Sequence, residues 1–440
     1  MSRRSDPAPF AARVVDLAHD GRGVAKLDGR TVFIADALPG ERVLASRVSR
    51  RRSHDDAVLL EVLEPAAERI TPRCPHFGTC GGCNLQHLAP GAQLSAKEAT
   101  LHDNLQRLGR VTAEARWDPI AGPVWGYRRR ARLGARKVDK KGRVLVGFRE
   151  RRAPLVADMD SCEVLAGGVG GLIPGLSRLI GELGIARRVP QVEVAVGDDR
   201  SALVFRVLEP PSTGDLLKLD AFGRDHGMDI WLQPGGLDTL RPLREGTPRP
   251  SYRLADFDLE FVFLPSDFVQ VNATINAKAV ARAVELLSPA PGDRIVDLFC
   301  GLGNFSLALA RRGARVRGVE GDDALVERAR ENASRNGLEV SFYAANLFED
   351  CRELPWAGEP CEALLLDPPR AGAEASIRLV PALRPARVVY VSCHPGTLAR
   401  DAGILVNDFG YRFQGAGVMD MFPHTAHVES IALFERGGGR

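Results

Sequence analysis

Apolar and polar positions alternate over short runs near the start of the chain, at 12–17, 23–27, 30–34, 41–45 and 57–63, with Gly or Asp turns between them. A period of two broken by turn residues predicts short, half-buried strands. Five such strands predict a small barrel of the OB kind over residues 1–66, a fold whose open face commonly takes nucleic acid. Residues 67–265 read as a central β-rich domain. It has a cysteine-bearing segment at 71–90 and a helix from Pro90 to Leu108, which is expected to pack on the third domain. Strands follow around a Lys140-Lys141-Gly142 turn, and further hairpins are expected over 190–265.

From about 266 the pattern changes to continuous apolar runs separated by helical segments. A helix runs from Asn272, an N-cap residue, to Leu287, and Pro289 ends it. Strands are predicted at 294–299, 315–320, 339–344, 362–367 and 387–392. Helices are predicted at 304–312, 322–336, near 374–383 and near 396–407, and two strands close the chain. This order predicts a doubly wound, Rossmann-like sheet over 266–440. The fold class is therefore multidomain, β followed by α/β.

Composition narrows the picture. The 440 residues are 45% hydrophobic and 26% charged, which excludes a disordered or fibrous chain. No apolar run approaches the ~18 residues of a membrane span. Met1–Asp6 lead into no apolar stretch, so no signal peptide is expected and a cytoplasmic protein is. In a reducing compartment the 8 cysteines should be thiols, metal ligands or catalytic groups. The net charge is only +3, but it is unevenly spread. Between Arg116 and Arg152 stand 13 basic residues against 3 acidic ones, with Trp125, Tyr127 and Phe148 among them. A stretch of one sign with interleaved aromatics predicts an RNA-tracking surface. Arg47, Arg50, Arg51 and Arg52, read as a loop before the last barrel strand, are a second candidate for phosphate contact.

The richest chemistry lies at predicted strand ends. Asp297-Leu298-Phe299-Cys300-Gly301-Leu302-Gly303-Asn304-Phe305 is a strand running into a glycine turn and a helix. Glu320 ends the next strand, 19 residues past Gly301, where an acidic residue reaches ribose hydroxyls. The turn is not G-x-G-x-x-G, so it lacks the pyrophosphate seat of a nicotinamide enzyme. Acidic groups flanking the pocket suit a cationic cofactor without phosphate, namely S-adenosylmethionine. Asp367-Pro368-Pro369-Arg370 places a carboxylate and two prolines at a later strand end, where ligands bind in such sheets.

Ser392-Cys393-His394-Pro395 places a thiol at the end of the following strand. A strand cysteine is ordinarily a small apolar side chain. This one stands before a turn into a helix, and a helix N-terminus with a nearby cation would lower its pKa. Near the chain's end Glu429 begins a strand. Earlier, Cys74, Cys80 and Cys83 form C-x₅-C-x₂-C, and Cys162 can complete a set of four. Zinc and an iron–sulfur cluster both accept four thiolates.

Taken together, the stretches Asp297–Phe305, Asp367–Ala371, Ser392–Asp401 and His427–Ser430, with Phe268-Val269-Gln270-Val271-Asn272, resemble the RNA uracil-C5-methyltransferase family. The resemblance covers nearly the whole chain, the N-terminal barrel corresponding to that family's TRAM domain. It implies Cys393 as nucleophile and Glu429 as general base. Gln270, Phe299, Asn304, Glu320, Asn346 and Asp367 are implied as cofactor-pocket positions. A [4Fe–4S] cluster is implied on Cys74, Cys80, Cys83 and Cys162. The domain set is similar to the subgroup acting on large-subunit (23S) ribosomal RNA, so an RNA partner and a monomeric enzyme are expected. A transfer-RNA uridine methyltransferase is the neighbouring alternative. A non-catalytic RNA-binding factor and an amino-group methyltransferase are the alternatives of other kinds. His394 departs from the family, which has Asn after the cysteine.

Overall fold

The computed structural model describes residues 8–437; Met1–Asp6, read above for a leader, lie outside them. The chain divides into two compact units. One holds 1–100, 148–157 and 422–427, and the other holds 101–147, 158–421 and 428–440.

In the first unit, β1 (Phe10–Leu17), β2 (Gly23–Leu27), β3 (Arg30–Ala35), β4 (Arg42–Arg50) and β5 (His54–Glu64) form a closed barrel in the order β1-β2-β3-β5-β4. Its core is filled by alternate residues such as Val14, Val32, Ile34 and Val43, as the period-two pattern requires. The arginine cluster is not a free loop. Arg47 and Arg50 lie within β4, Arg47 pairs with Asp55 at 2.9 Å, and Arg51 pairs with Asp56 at 3.0 Å. Helix α1 (Pro90–Asn104) follows the cysteine segment and continues as a single wide turn to Gly109.

The second unit contains two large sheets. The first has six strands in the order β12-β11-β10-β9-β7-β8. These are β7 (Arg130–Val138), β8 (Arg143–Gly147), β9 (Gln191–Val196), β10 (Ser201–Arg206), β11 (Met228–Gln233) and β12 (Arg241–Pro242). The expectation of plain hairpins over 190–265 is corrected here. Between β10 and β11 lies α3 (Thr213–His226), and β11 pairs parallel to β10. Helix α2 (Ile173–Glu182) packs on β8. A separate hairpin, β13 (Ser251–Leu254) with β14 (Leu259–Val262), precedes the second sheet. Backbone N–H groups of Glu260 and Val262 donate to Asn336 and Asn332 of the later helical region.

The second sheet has eight strands in the order β17-β16-β15-β18-β19-β21-β20-β6. In chain order they are β6 (Ala115–Arg116), β15 (Arg294–Leu298), β16 (Arg315–Glu320), β17 (Ser341–Ala344), β18 (Ala363–Leu366), β19 (Arg387–Ser392), β20 (Tyr411–Met419) and β21 (Glu429–Arg436). The helices between are α4 (Ala273–Leu287), α5 (Ser306–Arg311), α6 (Asp323–Arg335), the short α7 (Glu374–Ile377) and α8 (Val380–Leu383), and α9 (Pro395–Gly403). Strands β15 to β19 are mutually parallel and buried on both faces, so Leu364, Leu365 and Leu366 are all fully buried. Leu101 and Leu105 belong to the core on one face of this sheet, with Leu364, Tyr390 and Phe434. Only β21 reverses the direction, pairing antiparallel to both β19 and β20. The start of β21 therefore lies at the edge where the parallel strands end. Among the described residues no helix is long and apolar enough to cross a membrane.

Candidate active site

Five chemical positions expected from the sequence come to this one sheet edge. At the end of β15 the chain turns sharply: Phe299 adopts φ +66°, Gly301 +55° and Gly303 +91°. A non-glycine residue at such a φ is uncommon and marks a constrained turn. A Cβ on Gly303 would press into Leu307, so the turn needs glycine there. Glu320 fixes the loop from the end of β16. Its carboxylate accepts from Gly301 N–H at 2.9 Å and from Gly321 N–H at 2.7 Å. Asp297 is fully buried. One carboxyl oxygen accepts from the Ser306 hydroxyl, and Oδ1 has no partner among the described residues. Burial pushes it up to about 7, opposed by the Ser306 bond and reinforced by the charge of Glu320. Asp367 is pushed up to about 8, first by desolvation and then by Asp297 and Glu320. This edge is a cluster of coupled carboxyls, which fits a cofactor bearing a positive sulfur and an ammonium group.

The remaining pocket positions are placed as follows. Gln270 lines a small cavity with Tyr252, Phe263 and Asn276. Asn304 is held in a reciprocal amide pair with Asn276, at 3.1 and 2.9 Å, and also accepts from Tyr252 O–H at 2.9 Å. Asn346 is exposed and caps its own turn, accepting from Phe348 N–H and donating to Glu349. Phe348 itself was not singled out by sequence. Its ring lies 5.7 Å from that of Phe299, and 53% of its surface is exposed, an aromatic pair at the mouth of the glycine turn. An aromatic four residues beyond the end of a strand was the available signal.

Cys393 and Glu429 are brought together by strand register. Ser392 of β19 pairs with Ser430 of β21, so one step further Cys393 comes opposite Glu429. The thiol half-faces solvent, and Sγ donates to the Pro368 carbonyl at 3.9 Å. The expectation of a lowered thiol pKa is corrected. Desolvation, then the charges of Glu429 and Asp367, push Cys393 up to about 12, and Arg370 only partly opposes them. His394 is the N-cap of α9, its Nδ1 accepting from Thr397 N–H at 3.3 Å. The substituted histidine thus performs the capping that an asparagine would. Phe268, two residues before Gln270, is 69% exposed.

The cysteine-rich segment belongs to the first unit. Residues 74–83 form consecutive turns, Phe77 N–H donating to Cys74 O and Cys80 N–H to His76 O, and Gly81 N–H anchors them on Arg149 O. Cys80 is buried, and its Sγ accepts from Gly82 N–H at 3.3 Å. Cys162, in the second unit, is half-buried just before a segment that pairs with Gly126 and Arg128. Among the described residues no three His, Cys, Asp or Glu side chains are arranged as a metal site. The expected donor set is all thiol, and an N–H bond onto sulfur, as at Cys80, is of the kind that tunes a cluster-bound thiolate.

The basic stretch is largely neutralised in space. Arg130 and Arg132 share Glu193, Arg129 meets Asp198, and Lys141 and Arg143 share Asp158. Tyr127 is buried core rather than a surface ring. Arg136, Lys137 and Lys140 remain toward the β7–β8 turn as the charge most available to phosphate.

The chain is similar to known proteins along its whole length. A family model described as tRNA (Uracil-5-)-methyltransferase matches residues 249–437. A protein of Alkalilimnicola ehrlichii is 52% identical, covering 99% of this chain and 98% of its own. One of Xanthomonas axonopodis pv. citri is 51% identical, covering 98% of each. Both are named 23S rRNA (uracil(1939)-C(5))-methyltransferase RlmD. The solved structure of Pyrococcus abyssi tRNA (uracil-54, C5)-methyltransferase with S-adenosyl-L-homocysteine is 25% identical, with TM-score 0.76, over 96% of this chain and 99% of that one. With half its residues shared with these relatives along its entire length, the chain belongs to the RNA uracil-C5-methyltransferase family and is an enzyme dependent on S-adenosylmethionine.

Proposed function

We propose that the enzyme methylates C5 of a uracil in 23S ribosomal RNA, at the position corresponding to uracil 1939, with Cys393 as nucleophile and Glu429 as base. The observation that carries this reading is the β19–β21 register, which sets a thiol and a carboxylate opposite each other beside a carboxyl-lined cofactor pocket. The ribosomal target is supported by relatives of that name at about half identity, against 25% for the transfer-RNA enzyme.

When bound, S-adenosylmethionine supplies an electrophilic methyl group. Asp297, Glu320 and Asp367 would attract its positive charge, Phe299 would face its aromatic part, and Gln270, Asn304 and Asn346 would shape the remainder of the pocket. Uracil C5 is a weak nucleophile by itself. Cys393 thiolate adds to C6, and the electrons move onto the ring as an enolate, which makes C5 nucleophilic. After C5 gains the methyl group, Glu429 removes the C5 proton, and the C6–S bond breaks to return the thiolate. Positive charge brought to the acidic edge would offset the carboxylates that raise the thiol and so favour the thiolate. Phe268 stacks on the extruded base, because the target atoms are inaccessible inside a stacked helix.

Residues 1–66 serve as a TRAM-type RNA-binding domain, 67–265 as the cluster-bearing RNA-contact domain, and 266–440 as the methyltransferase domain. Cys74, Cys80, Cys83 and Cys162 hold a [4Fe–4S] cluster with a structural role, since methyl transfer moves no electrons. The enzyme works as a monomer in the cytoplasm. The test is methylation of a 23S fragment and of transfer RNA by the purified protein, with wild type and Cys393→Ala. Methylation of the ribosomal fragment alone, lost in the variant while RNA binding persists, supports the reading. Methylation of transfer RNA instead, or an active variant, overturns the target or the nucleophile respectively.

A further inference from the structure

Cys393 and Asp367 stand on two different loops, at the ends of β19 and β18, the one carrying the proposed nucleophile and the other a proposed cofactor-pocket carboxyl. Those loops are joined by one buried carboxylate. Asp401, on the second turn of α9, is wholly buried. Its Oδ2 accepts from the Tyr390 hydroxyl at 2.7 Å and from Ala373 N–H at 2.7 Å, while Oδ1 accepts from Arg400 Nε at 2.8 Å. Arg400 then donates to Ala371 O at 3.0 Å and pairs with Glu374 at 3.4 Å. Tyr390 lies on β19, three residues before the thiol, and Ala371–Ala373 follow Asp367 after Pro368-Pro369-Arg370. Gly372, at φ +80°, turns the loop so closely over α9 that a Cβ would strike Arg400 and Asp401. The ring of contacts closes where Cys393 Sγ meets Pro368 O.

We infer that Asp401 is a positioning residue for the reaction: it locks the Asp367–Ala373 loop to the strand and helix that flank Cys393, and so sets the attack geometry of the thiol on C6. This rests on Cys393 being the nucleophile. A fully buried carboxylate is expensive to desolvate, and an apolar residue would pack the spot without that cost. What the carboxylate adds is three directional acceptor contacts, one within α9 and two that tie it to β19 and to the 371–373 loop. It touches neither substrate nor cofactor and acts through the two loops.

The test uses full-length Asp401→Asn and Tyr390→Phe. Asn keeps the shape but turns an N–H₂ toward a donor, and Phe removes one donor only. The readouts are kcat and KM for RNA, S-adenosylmethionine affinity, and the rate of the covalent adduct with RNA carrying 5-fluorouridine. A displacement of about 1 Å in a reacting pair costs on the order of 100-fold in rate. The expected result is a fall of about 10- to 100-fold in kcat and adduct rate for Asp401→Asn, a smaller fall for Tyr390→Phe, and unchanged KM and cofactor affinity. An adduct that forms at the wild-type rate in both variants, or a loss confined to KM or to cofactor affinity, overturns the proposal. If Asp401→Asn does not fold, Tyr390→Phe decides by the same criteria. Cys393→Ala is the control: an adduct formed equally well without the thiol overturns the nucleophile and this inference with it, whereas an adduct lost in Cys393→Ala yet undiminished in the clamp variants overturns this inference alone.

Discussion

Glu429→Gln should make Cys393 more reactive while making the enzyme slower. Glu429 is the largest charge contribution raising the thiol, second only to desolvation. Glutamine keeps the size and removes the charge. The thiol stands at about 12. At pH 8 roughly one molecule in ten thousand is then thiolate, because each unit between pH and pKa is a factor of ten. Desolvation persists in the variant, so the pKa should fall by part of the total, about one unit. That gives ~10-fold more thiolate, but intrinsic nucleophilicity drops with pKa at a slope of about 0.4–0.5, leaving a net gain of ~3- to 4-fold.

The assay is alkylation of Cys393 by a small neutral reagent, followed on its own peptide by mass spectrometry so that the other seven thiols do not interfere. In the same variant, methylation should drop by about 100-fold or more, because the base that releases C5 is gone. Covalent protein–RNA complex should accumulate on ordinary uridine RNA, where wild type clears it. Slower alkylation together with normal turnover would refute both the geometry and the assigned role. Faster alkylation with normal turnover would keep the geometry and remove the role.

Cofactor binding should depend on pH. Asp297 and Asp367, near 7 and 8, are neutral in acid, so affinity for the cationic cofactor should rise between about pH 6 and 9, and Asp297→Asn should flatten that rise in a calorimetric titration. The ligand-free protein should respond oppositely: a carboxyl whose folded pKa is raised stabilises below its unfolded value near 4 and loses that contribution as pH climbs through 7 to 8. The thermal midpoint without cofactor should therefore decline over that range, and an unchanging midpoint would contradict the burial of the pair. Phe268→Ala should lower kcat by about tenfold if the ring stacks on the extruded base, and normal turnover would remove that role. Protein purified without oxygen should be brown and carry about four irons per chain. Cys80→Ser should lose them, and colourless protein containing zinc would overturn the assignment.

Much of the site was legible because its groups sit at strand ends, and strand ends are marked by a change of hydrophobic pattern. The barrel was legible for the same reason, its five runs being separated by turn residues. Helix α3 was missed because Gly214 and Gly223 depress helix propensity and the flanking apolar runs favoured hairpins. Its punctuation was nevertheless present: Ser212 and Asp215 form a reciprocal capping box, and Gly227 closes the end at φ +62°. The thiol pKa could not be read locally, since the two carboxylates that raise it lie 26 and 36 positions away in sequence. Likewise Tyr390, within the apolar run Val388–Val391, reads as core until its hydroxyl is found on Asp401.

Glu429 illustrates most sharply what pattern leaves undecided. A carboxylate near the start of a closing strand is visible in the residues, but its distance from Cys393 depends on the direction in which that strand joins the sheet. Run parallel to β19, its first residue would lie at the amino edge, about 3.3 Å per residue away along the six paired positions, or roughly 20 Å from the thiol. Antiparallel insertion turns the same residue to the carboxyl edge, within Coulombic reach of Cys393. Direction here follows from connection: the chain leaves β19 through α9, returns along β20, and reaches β21 through the segment 420–428, which lets it enter between two strands already placed. The proposed base is thus supplied by topology, and no substitution confined to the Ser392–Pro395 motif could replace it.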